Sequence, residues 1–546
     1  MIEATNITVK FRNTNFAAIE NVSFAVRQGE FVAILGPNGS GKSTLLKALC
    51  GMISLSMGEI NILGKKVNLG GFGRDFFGEI GVVFQEPQGQ FLARDVKTEL
   101  ISILQNLGLS LDQQRIRFGQ IIEEFKLEPF LDQKPENLSG GQMQLVNLAC
   151  AICLNPKLLI LDEPTTFLDP NYKKIFMELA GVLNKQGKTI LHITQYPDES
   201  LQANRILVLN SGKLVYEGEP LGFFNDDDKL TNFRLIKPTR LKFRSSFGFS
   251  PDDAGKPGEF IEQAKPDEKL SSLSRINATR QPIATIRNLK YRYANSFFAL
   301  EMDSLNLKLG EIIGIVGPAG SGKSTLALLL AGLLTADSGN IEINSKDIKD
   351  YSTPELRRQI GITWQLPDLT MIGPTVKDDL QFGSSYNKPT GNQIAAALKR
   401  VSLQGYEDRI VDTLSGGEKR KLGLASILLS DPPILILDEP DAFLDPHSQT
   451  ELVGILKSLA KEGRSLIVIA HDLEFLSEIA DIIVGISEGK VALIETANHF
   501  FSNSQLLKRL EMPANKMIEF REKLFKAGIE LSSSTLDPEK LRDEIK

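Results

Sequence analysis

At 546 residues the chain is too long for one hydrophobic core, and roughly 150 residues per domain gives three or four structural units. A net charge of −6 and a pI near 5.6 argue against a general nucleic-acid binder, which needs a basic surface to displace counterions. No apolar run approaches the roughly 18–20 residues that cross a bilayer, Met1 to Asn6 lack the features of a secretion signal, and three cysteines fit a reducing compartment.

In chain order, Ile7 to Arg12 reads as a strand. A buried strand follows at 31–35, an apolar, β-rich run that stops at glycine, as central parallel strands do. It leads into Gly36-Pro37-Asn38-Gly39-Ser40-Gly41-Lys42-Ser43-Thr44. Glycines there let backbone N–H groups converge on the β- and γ-phosphates of a nucleotide at a helix N-terminus. Lys42 adds a point charge, and Ser43 offers a hydroxyl to Mg²⁺. A polar, helix-forming region over about 95–137 ends at Leu138-Ser139-Gly140-Gly141-Gln142, which sets a hydroxyl and glycine N–H groups ahead of a helix, a second anion-binding terminus. Cys150 and Cys153 lie in the apolar helical run behind it. With no second cysteine pair to complete a zinc site, core packing outweighs a metal or redox role. Asp162 ends the next apolar strand, placed to hold Mg²⁺ through water, and Glu163 beside it is placed to orient or deprotonate an attacking water. A further strand at 189–194 runs into Gln195, and Phe223-Phe224 with Leu235-x-x-Pro238 close this half.

Residues 239–281 are rich in Ser, Pro, Gly and Asp and read as an exposed, partly disordered linker. Then the series repeats. A strand at Ala284 to Tyr293 and another at 312–316 precede Gly317-Pro318-Ala319-Gly320-Ser321-Gly322-Lys323-Ser324-Thr325, and the apolar run Leu326 to Leu334 reads as a buried helix. Another helix-forming region (376–413) reaches Leu414-Ser415-Gly416-Gly417-Glu418, followed by Asp438-Glu439, a strand at 465–470, and Phe500-Phe501 with Leu510-x-x-Pro513. Lys323 stands 281 residues after Lys42 (323 − 42), and Ser415 stands 276 after Ser139 (415 − 139), so two copies lie in tandem with small insertions between motifs. The expected division is 1–238, a linker at 239–281, 282–496, and a C-terminal appendage at 497–546. In that appendage Leu506, Leu507, Leu510, Met517, Phe520 and Leu524 fall at helical spacing, either packing on their own domain or offering a dimer contact.

These motifs in this order resemble ABC-type ATPases, whose nucleotide-binding domains close head to tail, and the resemblance covers nearly everything except the linker. It implies an α/β fold of two tandem P-loop NTPase domains, each with a helical signature subdomain and a C-terminal appendage, that bind and hydrolyse ATP with Mg²⁺. It also implies two composite sites. One joins Lys42, Ser43, Gln85, Asp162 and Glu163 to the Ser415 signature; the other joins Lys323, Ser324, Gln365, Asp438 and Glu439 to the Ser139 signature. Gln85 and Gln365 look like the Q-loop glutamines that touch Mg²⁺ and sense the transporter. Phe11 and Tyr293 fall where an aromatic stacks on adenine, although aromatics near strand ends also serve as core. Leu168-Asp169 and Leu444-Asp445 resemble the D-loops. His471 stands where the family has its γ-phosphate-contacting histidine, but 276 residues earlier the chain has Gln195 (471 − 195). Alternation along a strand turns the nearby His192 to the opposite face. A glutamine donates a neutral hydrogen bond but carries no charge, so the first half is expected to hydrolyse ATP more slowly; the alternative is that Gln195 serves nearly as well.

Several segments are similar to the ATPases of energy-coupling factor (ECF) importers, which take up vitamins and transition-metal ions: residues 83–91 around Gln85, Thr375 to Gly383, Leu414 to Leu422, and the Pro-containing appendage. Such importers usually carry two separate ATPase chains, so this one would be a fused version, and Met143 and Leu145 depart from the basic residues common after the signature. The resemblance implies a peripheral protein on the cytoplasmic face of the membrane. Coupling helices of an integral membrane subunit would contact about 85–135 and 365–412, a substrate-binding membrane component would complete the assembly, and no nucleic acid is involved. The alternatives are a fused ATPase of a conventional sugar or peptide importer and a soluble tandem ABC translation factor. The latter is expected to have a long charged linker and a basic ribosome-binding surface.

Overall fold

A computed structural model describes the chain apart from residues 12–16, 73–75, 77, 167, 169, 250–281, 294–298, 319, 365–369, 384–387, 443, 530 and 546. It divides into two compact units, one built on Met1–Pro238 and one on Thr239–Leu444 with Ser448–Lys546.

The strands of the first unit are β1 (Ile2–Val9), β2 (Ile19–Val26), β3 (Phe31–Leu35), β4 (Met57–Ile62), β5 (Lys65–Lys66), β6 (Ile80–Val83), β7 (Leu158–Asp162), β8 (Thr189–Ile193), β9 (Arg205–Asn210) and β10 (Lys213–Gly218). They form an antiparallel sheet in the order β2-β1-β4-β5 and a six-stranded sheet in the order β10-β9-β3-β8-β7-β6. In the second sheet β9, β3, β8, β7 and β6 are parallel. All of β3 and β8 is buried, which is why both read as unbroken apolar runs. Register pairs Ile34 with Ile193 and Ile193 with Asp162, so three strands end together and deliver their loops to one edge.

Around this sheet lie helices α1 (Lys42–Leu49), α2 (Val96–Asn106), α3 (Leu111–Phe125), α4 (Gly140–Cys153), α5 (Pro170–Lys185) and α6 (Pro197–Ser200). Cys153 is fully buried in α4, and burial pushes its thiol up to about 12 and that of Cys150 well above its usual range. Cys153 packs as a small core residue, as expected, while Cys150 is partly exposed.

The second unit has one ten-stranded sheet made of β11 (Pro282–Arg292), β12 (Ala299–Lys308), β13 (Ile312–Val316), β14 (Ser338–Ile343), β15 (Lys346–Asp347), β16 (Ile360–Thr363), β17 (Ile434–Asp438), β18 (Ser465–Ile469), β19 (Ile482–Ser487) and β20 (Lys490–Thr496). Its order is β15-β14-β11-β12-β20-β19-β13-β18-β17-β16. The two layers kept separate in the first unit are joined here by a single pairing, Glu301 with Lys490.

The linker expectation needs correction at its start. Thr239–Phe247 is a helix whose Phe243 and Phe247 rings are buried 5.0 and 4.8 Å from Phe520, with Lys242 Nζ 2.8 Å from Asp537. Two aromatics at i and i+4 gave it an apolar stripe that its serine-rich composition masked. The rest of the expected linker, from residue 250, lies outside the described residues. In the appendage Leu507, Leu510, Met517, Phe520 and Leu524 are all buried in one core with Phe500 and Phe501. Of the two readings of this stripe, the structure has packing on its own unit; the surface offered for a dimer contact is already covered.

Candidate active site

The phosphate loop turns sharply because its glycines allow it. Gly41 has φ 105°, and a Cβ there would stand 2.7 Å from Ala18 O; a Cβ on Gly36 would stand 2.3 Å from Leu209 O. Through Pro37, Asn38 and Gly39 the loop reaches α1, where Ser43 is exposed on the first turn ahead of Thr44. Lys42 lies back along the loop, donating to Gly36 O (2.7 Å) and Pro37 O (3.2 Å), with Glu163 Oε1 at 3.7 Å. In the second unit Lys323 likewise donates to Gly317 O (2.9 Å) and Pro318 O (2.8 Å), and Gly322 has φ 108°. Ser40 and Ser321 are each 2% exposed, and their hydroxyls have no hydrogen-bond partner among the described residues. Such an unmet buried donor beside converging N–H groups suits the oxygens of a polyphosphate. Gly320 keeps the φ of Gly39; Ala319 lies outside the described residues.

Asp162 and Asp438 end β7 and β17 at the sheet edge, and each is followed by a glutamate in the left-handed region, φ 40° at Glu163 and 49° at Glu439. That conformation costs a non-glycine residue on the order of 1–3 kcal/mol. It is held by N–H bonds from Glu163 to Ile193 O (2.8 Å) and from Glu439 to Ile469 O (2.9 Å). The twist takes the glutamate out of the strand's alternation, so that Glu163 Oε2 accepts from Gln85 Nε2 at 3.3 Å. Ser43, Gln85 and Asp162 in one unit, and Ser324 and Asp438 in the other, supply the hydroxyl, amide and carboxylate oxygens that a hard cation such as Mg²⁺ takes. Gln365 lies outside the described residues.

Burial, then the neighbouring Glu163, pushes the Asp162 carboxyl up to about 7, and burial with Glu439 pushes Asp438 up to about 6. A raised acid is protonated below its pKa, and Mg²⁺ needs it ionised. Binding of Mg·ATP at pH 6.5 is therefore expected to release protons, and affinity is expected to fall as the pH drops through 7 and then 6. Calorimetry in two buffers of different ionisation enthalpy reads the release; identical heats would count against it.

The two units differ at the switch. His471 Nε2 lies 3.2 Å from Glu439 Oε1 with its side chain 31% exposed. Gln195 is 1% exposed, and its amide atoms have no hydrogen-bond partner of normal geometry among the described residues. His192 is fully buried, 3.4 Å from Glu199 and beside Phe31, so it does not replace the missing histidine.

The signature residues form capping boxes. Ser139 Oγ accepts from Gln142 N (3.3 Å) while Gln142 Oε1 accepts from Ser139 N (2.8 Å), starting α4 at Gly140. Ser415 and Glu418 do the same for the helix Gly416–Leu428. Close packing excludes a side chain at Gly141, where a Cβ would meet the Tyr172 ring at 2.5 Å, and leaves little room at Gly417, where it would meet the end of the Leu444 side chain at 3.0 Å. Tyr293 OH stands 3.2 Å from Thr325 Oγ1, which sets its partly exposed ring next to the phosphate loop. Phe11, beyond the end of β1, is 48% exposed and is not core. Asp169 lies outside the described residues. The left-handed glutamates and the buried hydroxyls of Ser40 and Ser321 carried no functional signal in the sequence beyond their motifs.

The ABC transporter family model matches residues 19–166 and again 300–442. A provisionally named ABC transporter ATP-binding protein of Bacillus thuringiensis subsp. konkukian is 31% identical over 92% of this chain and 93% of its own. One from Caldanaerobacter subterraneus subsp. tengcongensis is 29% identical over 93% of each. Among solved structures, the archaeal ribosome recycling factor aABCE1, in complex with the ribosomal stalk protein aP1, aligns with TM-score 0.59 at 21% identity over 96% of this chain and 98% of that one. At that identity the likeness is one of fold.

Proposed function

Because the chain belongs to the ABC transporter family of ATP-binding proteins and is an ATPase with two tandem α/β nucleotide-binding domains, we propose that it drives a membrane importer of the energy-coupling factor kind. Its cargo would be a vitamin or a transition-metal ion, its place the cytoplasmic face of the membrane, and its first unit the slower of the two. Among the described residues no helix is long and apolar enough to cross a membrane, and in this reading translocation falls to a membrane-embedded partner chain. The ECF likeness of residues 83–91 and 414–422 supports that choice of partner over a conventional sugar or peptide importer.

One feature found in both units carries the reading. Leu92 is 94% exposed at the tip of a turn whose Leu92 and Ala93 N–H groups donate to Glu99 Oε2 at 2.9 and 2.6 Å. In the second unit Ile372 is 76% exposed on the same turn, with the Ile372 and Gly373 N–H groups donating to Asp379 Oδ1 at 2.7 and 3.0 Å. Both carboxylates are buried, at 7% and 6%. Each tip follows its Q-loop glutamine by seven residues (92 − 85; 372 − 365). A buried acid that fixes a turn so as to hold an aliphatic side chain in water is costly unless a partner covers that side chain. In the second unit a cavity of about 160 Å³, lined by Trp364, Met371, Arg420 and Leu424 among others, adjoins this face.

Changing both tips, Leu92→Arg with Ile372→Arg, is expected to leave basal ATP turnover within about twofold, since neither touches the nucleotide groups. It is expected to cut recovery of a co-expressed multi-span membrane subunit at least tenfold, since an uncompensated charge placed in an apolar contact costs several kcal/mol. Undiminished recovery, or sedimentation of the chain with ribosomes in place of membranes, would defeat the proposal.

A further inference from the structure

The first unit contains a buried charge cluster that its nucleotide groups do not include. Glu199, in α6, is 5% exposed. Its Oε1 accepts from Thr165 Oγ1 at 2.6 Å and stands 3.0 Å from Lys173 Nζ. Its Oε2 accepts from Thr194 Oγ1 at 2.6 Å and lies 3.4 Å from His192 Nε2. Lys173, on α5, also sits 3.5 Å over the Tyr196 ring. The Thr194 hydroxyl accepts in turn from Tyr196 N at 3.0 Å, so the residues on either side of Gln195 are bonded to each other. Thr165 comes two residues after Glu163. One carboxylate therefore ties the strand end that carries Gln195 to the segment that carries Glu163.

The second unit is built differently at the same places. Positions 276 residues on from Glu199, His192 and Thr194 hold Phe475, Val468 and Ala470. Those matching Lys173 and Tyr196 hold Gln449 and Asp472, bonded directly at 2.8 Å, and Asp472 caps the helix Leu473–Ile479. Position 441, matching Thr165, holds Asp441, whose carboxyl is pushed well above its usual range by burial and then by Asp472, so the second unit keeps an acid here but none at the place of Glu199. His471 contacts Glu439 itself. The Gln195 amide instead has the Tyr196 side chain as a polar neighbour and makes no hydrogen bond of normal geometry among the described residues. A neutral amide with a rotatable terminal torsion gains more from having its backbone fixed. A desolvated ion pair contributes little net stability compared with packed apolar side chains, and Phe475, Val468 and Ala470 fill the places of Glu199, His192 and Thr194 in the second unit.

We propose that Glu199, acting through Thr194 and Thr165, is a positioning residue that fixes Gln195 against Glu163 in the first nucleotide site, with Lys173 as its charge partner. The proposal rests on reading Gln195 as the γ-phosphate contact of that site.

The test uses the full chain with Glu439→Gln, so that residual single-turnover ATP cleavage reports on the first unit. Glu199→Gln is expected to lower the cleavage rate about tenfold with KM for ATP held within about twofold, while a purely structural role would reduce the folded fraction instead. Gln195→Ala should also lower the rate, and the two changes together should do little more than either alone, since coupled residues are not additive. An unchanged rate in Glu199→Gln, or losses that multiply in full, overturns the proposal. An unchanged rate in Gln195→Ala instead defeats the switch reading itself, and the proposal falls with it. If Glu199→Gln fails to fold, the pair Lys173→Met with Glu199→Gln removes both charges and answers the same question by the same rates.

Discussion

Glu439→Gln is expected to reduce steady-state ATP turnover of the whole chain at least tenfold, and Glu163→Gln to reduce it by less than about twofold. Removing one well-placed transition-state group typically costs about 10²–10³ in rate. What limits the observed loss in the first variant is the residual turnover of the other unit. In the second unit Glu439, in its left-handed conformation, lies 3.2 Å from His471 Nε2, so a carboxylate and an imidazole converge where the γ-phosphate is expected. In the first unit Glu163 has Lys42 and Gln85 beside it, but the switch position holds a buried, neutral Gln195. Steady-state ATPase rates of the two single variants decide it. Comparable losses would sink the asymmetric reading.

Arg521→Ala should destabilise the second unit by about 3–5 kcal/mol. Arg521 is fully buried and donates to Phe501 O (3.2 Å), Thr535 O (2.9 Å), Ser533 O (2.7 Å), Asn498 Oδ1 (2.8 Å) and Ser502 Oγ (3.3 Å). Truncation opens a cavity and strands three carbonyls, each worth roughly 1–3 kcal/mol when left unmet in the interior. Burial holds the guanidinium down to about 10 against the opposing pull of Glu544, so it stays charged at neutral pH and is solvated by these oxygens. Arg521→Lys, with three donors on a compact head, cannot reach all five acceptors and should recover less than half of the loss. Thermal unfolding followed by calorimetry should show the transition of the second unit lowered by roughly 6–15 °C, with ATP binding at the first unit kept. A shift below about 2 °C would show that the tail repacks without its arginine.

Much of the site was legible because its chemistry is local. A phosphate loop needs glycines, a lysine and a hydroxyl within nine consecutive residues, and Gly36 to Thr44 and Gly317 to Thr325 state that twice. Buried parallel strands have to read as apolar runs ending at the loops they serve, so the placement of Asp162 with Gln195 at the edge of one unit's sheet, and of Asp438 with His471 at that of the other, followed from pattern. The burial of Thr239–Phe247 was not legible, because two phenylalanines in a polar stretch acquire meaning only when Phe520 is there to meet them.

The sequence by itself determined the tandem repeat, the nucleotide chemistry and the Gln195 for His471 exchange, since each is written in residue identity and spacing. Tertiary structure alone decided the rest. It set the left-handed turn of Glu163 and Glu439, covered the C-terminal stripe with its own unit, held Leu92 and Ile372 out on turns fixed by buried acids, and closed Glu199 around the loop of Gln195. Each of these depends on groups distant in the chain meeting in a dry interior. There an unmet hydrogen bond or an unpaired charge costs more than the local preferences of any segment.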